Sequence, residues 1–274
     1  MKNVSLGQYY AVDSPIHRID PRFKIILSVL YIVTVFLCSN IVSVSLILVS
    51  ATVLIALSKV PFRLILHSLK PIVFIVAFTA ILNIFWSVGE GVPLFEWKFI
   101  KIYKEGIINA AFLIVRIVVL VIGSSVLMTY TTTPISLTDG IESLFSPLKK
   151  IKVPVHDFAM IMTIALRFIP TLSEEAEKIM AAQKARGADF TNGSLTKRAK
   201  ALIPILIPLF SSSIRHAVDL ATAMECRCYR GGEGRTRMKV LKSAPRDFVS
   251  LGLMTAFLGL IICTNIFLRK YLPF

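Results

Sequence analysis

The sequence predicts an all-α membrane protein: about five transmembrane helices plus long cytoplasmic helices. Three observations carry that expectation. Of the 274 residues, 55% are hydrophobic and only 17% charged, whereas a soluble domain is roughly 25% charged. The apolar residues gather into several runs close to the ~20 residues a spanning helix needs. The charges are lopsided, with 31 Lys and Arg against 16 Asp and Glu for a net of +15, and they cluster between the runs. High hydrophobicity also excludes a disordered chain, which combines low hydrophobicity with high net charge.

The first span runs from about Phe23 to Cys38, and Ser39-Asn40 breaks it from a second, about Ile41 to Leu57, so the two read as a helical hairpin. A basic link follows with Lys59, Arg63, His67 and Lys70, punctuated by Pro61 and Pro71. The third span covers about Pro71 to Val88, and its exit through Gly89-Glu90-Gly91-Val92-Pro93 is turn chemistry. The fourth, about Ile107 to Thr129, carries one charge, Arg116, and the last covers about Phe248 to Leu268. Arg116 reads either as a contact with a partner or with a charge in the bundle, or as a snorkelling or structurally paired side chain. The expected domains are a membrane domain of four spans over 1–130, cytoplasmic helices over 131–247 and a final span in 248–274.

Basic residues number four in the N-terminal segment, three in the 58–70 link and eighteen in the 131–247 insert. The positive-inside rule therefore puts these parts in the cytoplasm of a multi-pass protein of the cell membrane. Five spans would then leave the C-terminus outside. The cysteines stand at 38, 226, 228 and 263, two of them inside apolar runs, which suits a reducing compartment rather than a disulfide framework. The first 24 residues are mostly polar, and no small-residue cleavage site follows the first apolar run, so no cleaved leader is expected.

The insert reads as four helical pieces. About Ile135 to Lys149 opens on Thr132-Thr133-Pro134, a hydroxyl cap with Pro at the start. Val155 to Phe168 follows, and Pro170 is expected to separate it from a helix over Thr171 to Arg186. That helix has acids first, bases last and Gly187 at its stop, in keeping with the helix dipole. The last piece, about Leu195 to Tyr229, is bent at Pro204 and Pro208. Its second half carries an apolar stripe including Phe210, Ile214, Ala217, Leu220, Ala221 and Met224. The stripe is either internal packing or a docking face for a partner.

Two helix ends resemble each other. Ala185-Arg186-Gly187 closes one helix and Cys226-Arg227-Cys228 closes another, 41 residues later. Small neighbours leave each guanidinium free to enter a groove, where its five donors suit bidentate pairing with carboxylates or carbonyls. The plainer reading is that Arg at a helix C-terminus complements the dipole. Cys226 and Cys228, two apart on a helix and with no His at ligand spacing, do not suggest a metal site. No catalytic cluster stands out, because Glu174, Glu175 and Glu177 read as a dipole-favoured first turn and the four histidines are scattered. Arg230, Arg235 and Arg237 read equally as lipid or partner contacts and as topogenic charge.

The stretches from Ser146 to Ile151 and Val153 to His156, Ala165-Leu166-Arg167-Phe168-Ile169-Pro170-Thr171, Ala185-Arg186-Gly187-Ala188, and the run Ala223 to Thr236 resemble the transmembrane component of energy-coupling factor transporters. So do Gly7-Gln8-Tyr9 and His17-Arg18-Ile19-Asp20-Pro21-Arg22. The family commonly has Ala-Arg-Gly at the second arginine too, where this chain has cysteines, which leaves the end of that helix open. The resemblance implies that the long cytoplasmic helices are coupling helices that cross. Each ends in an arginine, here Arg186 and Arg227, docked in a groove of one of two ATP-binding cassette subunits. It also implies a small substrate-binding membrane subunit for a vitamin or metal ion, with Leu209, Ile214, Ala217 and Ala221 as contact candidates. No phosphate-binding Gly-x-x-x-x-Gly-Lys-[Ser/Thr] loop occurs in the chain, so ATP and Mg are expected on the partners and no cofactor on this chain. Nucleic acid is not an expected partner. The competing expectation is a membrane-embedded enzyme acting on lipid or isoprenoid substrates within 131–247, which would need clustered Asp or His.

Overall fold

The computed structural model describes residues 9–86, 95–97, 100–188, 190, 194–231 and 241–269. Gly7 and Gln8, the 89–93 turn and residues 232–237 of the second arginine region lie outside them. The chain is an all-α protein, with eight α-helices among the described residues and one short antiparallel hairpin, β1 (Phe95–Trp97) with β2 (Ile100–Ile102). It divides into two units. One comprises 7–140 with 241–274, the other 1–6 with 141–240.

The first unit contains α1 (Pro21–Leu37), α2 (Ile41–Ser58), α3 (Phe62–Trp86), α4 (Lys104–Ser124) and α8 (Pro245–Arg269). Asp20 caps α1 by accepting a hydrogen bond from the Arg22 amide at 2.9 Å, and Pro21 fills the first helical position. α1, α2 and the last span fall where the hydrophobic runs put them, but α1 and α2 do not pack on each other as a hairpin, since α1 packs on α4 and α8 and α2 packs mainly on α4. α3 differs, because it begins at Phe62 and runs through Pro71, so most of the 58–70 link is helix. A proline inside an apolar helix costs one backbone bond, and membrane helices tolerate that. α4 passes into a π-helical turn, Ser125–Tyr130, which nothing in the sequence pattern announces.

α4 packs on α1, α2 and α3, and α8 packs on α1 and α2. Tyr31, Val35, Ile47, Ile65, Val126, Tyr130 and Ile261 form the buried core. In lipid, apolar burial gives little drive for helix association, so close packing and interhelical hydrogen bonds carry more of it. Both are present. The ring of Tyr31 lies over Gly123, which has no side chain to keep it off.

Hydrogen bonds tie the bundle at two levels. At one, buried Lys24 donates to Thr131 O at 2.7 Å and to His17 O at 3.4 Å, collecting carbonyls beyond the π-helical turn. Asp247, also buried, accepts from the Asp20 amide at 3.0 Å and the Ala244 amide at 2.7 Å. The Tyr130 hydroxyl donates to Leu64 O at 2.9 Å. At the other level Asn265 donates to Leu37 O at 2.6 Å and accepts from the Ser43 hydroxyl at 2.7 Å. Arg116 donates to Cys38 O. The fourth-span charge is thus a structural pair that caps the end of α1. With 1.5 Å rise per residue, α1 separates these two levels by about 25 Å, close to the thickness of a hydrocarbon layer.

The second unit contains α6 (Val155–Ala185), α7 (Leu195–Cys226) and a 3₁₀ turn over Ser146–Ile151. The boundary between units falls inside α5 (Pro134–Leu144), whose first turn is capped when Thr133 Oγ1 accepts from the Ser136 amide at 3.2 Å. The expected break at Pro170 is a correction. α6 is one helix through that residue, because the single backbone bond that Pro170 removes is outweighed by an apolar face continuous on both sides of it. Thr171 therefore lies inside the helix, and the Ser173 hydroxyl bonds back to Ile169 O at 2.8 Å. α7 likewise continues through Pro204 and Pro208.

Among the described residues, six helices could cross a membrane by length and composition: α2, α3, α4 with its π-helical turn, α6, α7 and α8. α6 and α7 are the least apolar, with mean hydropathy 1.3 and 1.5 against 2.0 to 2.5 for the others. α1 is apolar too but only 17 residues long. The protein is a multi-pass membrane protein.

Candidate functional site

The site is assembled on α6 and α7, which run antiparallel. Near one end of the pair the Tyr229 hydroxyl donates to Met160 Sδ at 3.0 Å. In the middle His216 Nε2 lies 3.5 Å from Glu175 Oε2, with its ring centroid 6.0 Å from that of Phe168. Towards the other end Gln183 Nε2 donates to Pro204 O at 3.5 Å. His156 Nδ1 lies 2.9 Å from Glu142 Oε1, which ties the start of α6 back to the end of α5. None of these pairs was legible as a pair from sequence, since each joins residues on different elements.

The two arginine ends share the same pair of closing bonds. α6 ends at Ala185, and Arg186 is its cap residue. The Gly187 amide donates to Lys184 O at 2.9 Å and the Ala188 amide to Gln183 O at 3.0 Å, with Gly187 left-handed at φ +88°. α7 ends at Cys226, and Arg227 is its cap residue. The Cys228 amide donates to Glu225 O at 2.8 Å and the Tyr229 amide to Met224 O at 3.0 Å, with Cys228 left-handed at φ 55°. Both are the six-to-one and five-to-two pairing of the Schellman motif. The second helix therefore stops at the residue corresponding to the stop of the first, and Cys228 takes the place of glycine at the left-handed position.

This cap changes what the arginines can do. The last carbonyls of each helix are satisfied by main-chain amides from beyond the end, so neither guanidinium is needed there. Arg186 and Arg227 are exposed, and neither guanidinium has a partner among the described residues. Their neighbours Ala185, Gly187, Cys226 and Cys228 are also exposed, and both cysteines are free thiols. Because the helices are antiparallel, the arginines lie at opposite ends of the pair. From Met160, beside Tyr229, to Arg186 is 26 residues, at most about 39 Å along a helix.

The apolar residues of α7 sort into two rows. Ile203, Ile207, Phe210, Ile214, Ala217 and Ala221 recur at helical spacing and are exposed, Phe210 at 70% and Ile207 at 65%. On the opposite side Ile205 and Ser212 are buried, and Leu209 is half-buried in their row. Of the four candidate contact residues, the structure gathers Ile214, Ala217 and Ala221 on the exposed row and places Leu209 away from them. Leu220 and Met224 are half-buried as well. Among the described residues, no three His, Cys, Asp or Glu side chains gather as a metal-holding group.

A family model described as cobalt transport protein matches residues 13–239. A relative in Clostridium kluyveri, named energy-coupling factor transporter transmembrane protein, is 55% identical over 250 residues, covering 91% of this chain and 92% of its own length. Proteins of the same name in Ruminiclostridium cellulolyticum and Bacillus subtilis are 48% and 44% identical over 262 and 261 residues. Those matches cover 96% and 94% of this chain, and 97% and 98% of the relatives.

Proposed function

The chain belongs to the family of energy-coupling factor transporter transmembrane proteins, and from that premise we propose that it is the scaffold through which two cytoplasmic ATP-binding cassette subunits drive a separate substrate-binding membrane subunit during uptake of vitamins or transition-metal ions. As a transporter component it works within a multi-subunit membrane complex. ATP and Mg bind to the ATPases, and this chain performs no chemical step. The N-terminus, the 58–70 segment and the α5–α7 region face the cytoplasm, in accord with their excess of Lys and Arg.

The observation that carries the reading is the matched pair of arginine ends. Two exposed, unengaged guanidiniums on identical caps at opposite ends of an antiparallel helix pair fit two similar grooves on two separate partners. The exposed row with Ile214, Ala217 and Ala221 is the surface for the substrate-binding subunit. A large apolar row that none of the described residues buries suits a partner that is itself apolar.

The test is co-purification in mild detergent followed by ATP-driven uptake in proteoliposomes. Truncating one member of a buried interfacial charge pair costs about 2–5 kcal/mol, so Arg186→Ala or Arg227→Ala should weaken ATPase retention by roughly 30-fold or more. The double charge reversal Arg186→Glu with Arg227→Glu should abolish uptake while leaving membrane insertion intact. Normal ATP-dependent uptake by that double variant would overturn the docking role.

A further inference from the structure

The first unit holds an apolar cleft of about 1030 Å³ between α1, α2 and α8 that the transport reading leaves unused. Its walls include Leu46, Val53, Leu57, Leu253 and Phe257. Val53, Leu57 and Leu253 are 48%, 45% and 68% exposed, so the cleft opens sideways rather than closing over as a core. Along α2 it runs from Leu57 to Leu46 and along α8 from Arg246 to Phe257. Each is eleven residues, about 16 Å, or half of a hydrocarbon layer about 30 Å thick.

The charged side chains of the lining gather at one end. Asp13, Arg18, Lys59 and Arg246 line it. Arg18 engages both carboxylate oxygens of Asp13 through Nε and Nη2. That hydrogen-bonded pairing holds the Asp13 carboxyl below its ordinary value, so the pair is intact at neutral pH and internally compensated. Lys59 and Arg246 are exposed and make no hydrogen bond or ion pair among the described residues, although Lys59 lies within electrostatic reach of the Asp13 carboxylate; with Arg18 offsetting Asp13, the mouth keeps a surplus of two positive charges. Lys59 moreover occupies the left-handed position at the end of α2, φ 54°, where glycine would be cheaper.

We propose that this cleft binds an anionic phospholipid, its phosphate between Lys59 and Arg246 and one acyl chain lying along α2 and α8. The depth suits the chains of one leaflet, the walls suit hydrocarbon, and the two unpaired cations sit where the headgroup of that leaflet would be. A neutral lipid would fill the walls but leave the cations unanswered.

The experiment uses the full chain in mild detergent, with a phosphatidylglycerol carrying a photoreactive group midway along one acyl chain and peptide mapping of the adducts. Adducts are expected on the cleft walls around Val53 and Leu253. Unlabelled phosphatidylglycerol should compete, while phosphatidylcholine and glycerol phosphate should not. Each Lys or Arg near an anionic headgroup is worth about fivefold in affinity, so Lys59→Gln with Arg246→Gln should lower labelling roughly 25-fold. Leu253→Trp should block it from within without changing charge, and a monodisperse elution profile shows that either variant folds. Labelling unchanged by the double substitution, equal competition by phosphatidylcholine, or adducts as abundant on the exposed face of α3 around Phe74 would overturn the proposal. So would loss of the adducts when the whole transporter is assembled, since the cleft would then belong to another subunit. The Arg186→Glu, Arg227→Glu chain should label as the parent does, which separates failure of this site from failure of ATPase docking.

Discussion

Cys228 and Gly187 occupy the same left-handed position on two identical caps, and exchanging their side chains tests whether the caps set the arginines. At Gly187 an added Cβ meets nothing within 4 Å, so Gly187→Ala carries no steric clash. Its cost is conformational: a left-handed residue with a Cβ is disfavoured by roughly 1–2 kcal/mol, and a glycine-to-alanine change gives back about 0.4–1 through the unfolded state. The balance, about 1 kcal/mol, is a fivefold change in a local opening equilibrium. Hydrogen exchange reads that equilibrium amide by amide. The Ala188 amide, bonded to Gln183 O at 3.0 Å, should exchange about fivefold faster in Gly187→Ala. The Tyr229 amide, bonded to Met224 O at 3.0 Å, should exchange about fivefold slower in Cys228→Gly. Uptake should survive Cys228→Gly, since Arg227 keeps its place. Faster exchange at Tyr229 in Cys228→Gly, or no change at Ala188 in Gly187→Ala, would refute the assignment of these residues as matched cap positions.

Two further outcomes test the bundle. Gly123→Ala drives a Cβ into the Tyr31 ring, an overpacking worth about 1–3 kcal/mol. It should lower the thermal midpoint of the purified chain, and Tyr31→Leu in the same chain should recover part of the loss. Arg116→Leu removes the donor to Cys38 O, a charged hydrogen bond worth about 1.5–3 kcal/mol. It should lower the same midpoint, and Arg116→Lys should do so less.

Much of the membrane unit was legible because its signal is local. A run of apolar residues between turn residues marks α1, α2, α4 and α8 to within a few positions, and Thr133-Pro134 announces the cap of α5. Prolines misled at Pro71 and Pro170, though not at Pro204 and Pro208, which the sequence already places inside one long helix. Pro71 and Pro170 each remove one bond from a long ladder, and neighbouring turns keep the helix running. The carbonyl just past the π-helical turn, Thr131 O, accepts from Lys24, more than a hundred residues away along the chain. Asp247 with Asp20 and Arg116 with Cys38 are likewise distant along the chain. Cysteine at 228 hid where the second of the two matching arginine ends stops, because only the dihedral angle reveals it as a stand-in for glycine.

The antiparallel sense of α6 and α7 gives the paired arginines a mechanical meaning that a single one lacks. A helix pair held at one end can swivel about that point, so motion of the holder is lost as rotation of the pair. Held at both ends, up to about 39 Å apart along the helix, the pair must follow the relative displacement of its two holders. In the proposed transporter those holders are the two ATPases, and the exposed row on α7 lies between the attachment points. That row, with Ile214, Ala217 and Ala221, is therefore placed to hand the displacement to whatever covers it. Identical caps at both ends follow from the same logic: two like partners present like grooves, and each groove needs an arginine projected from a helix end that has already satisfied its own carbonyls.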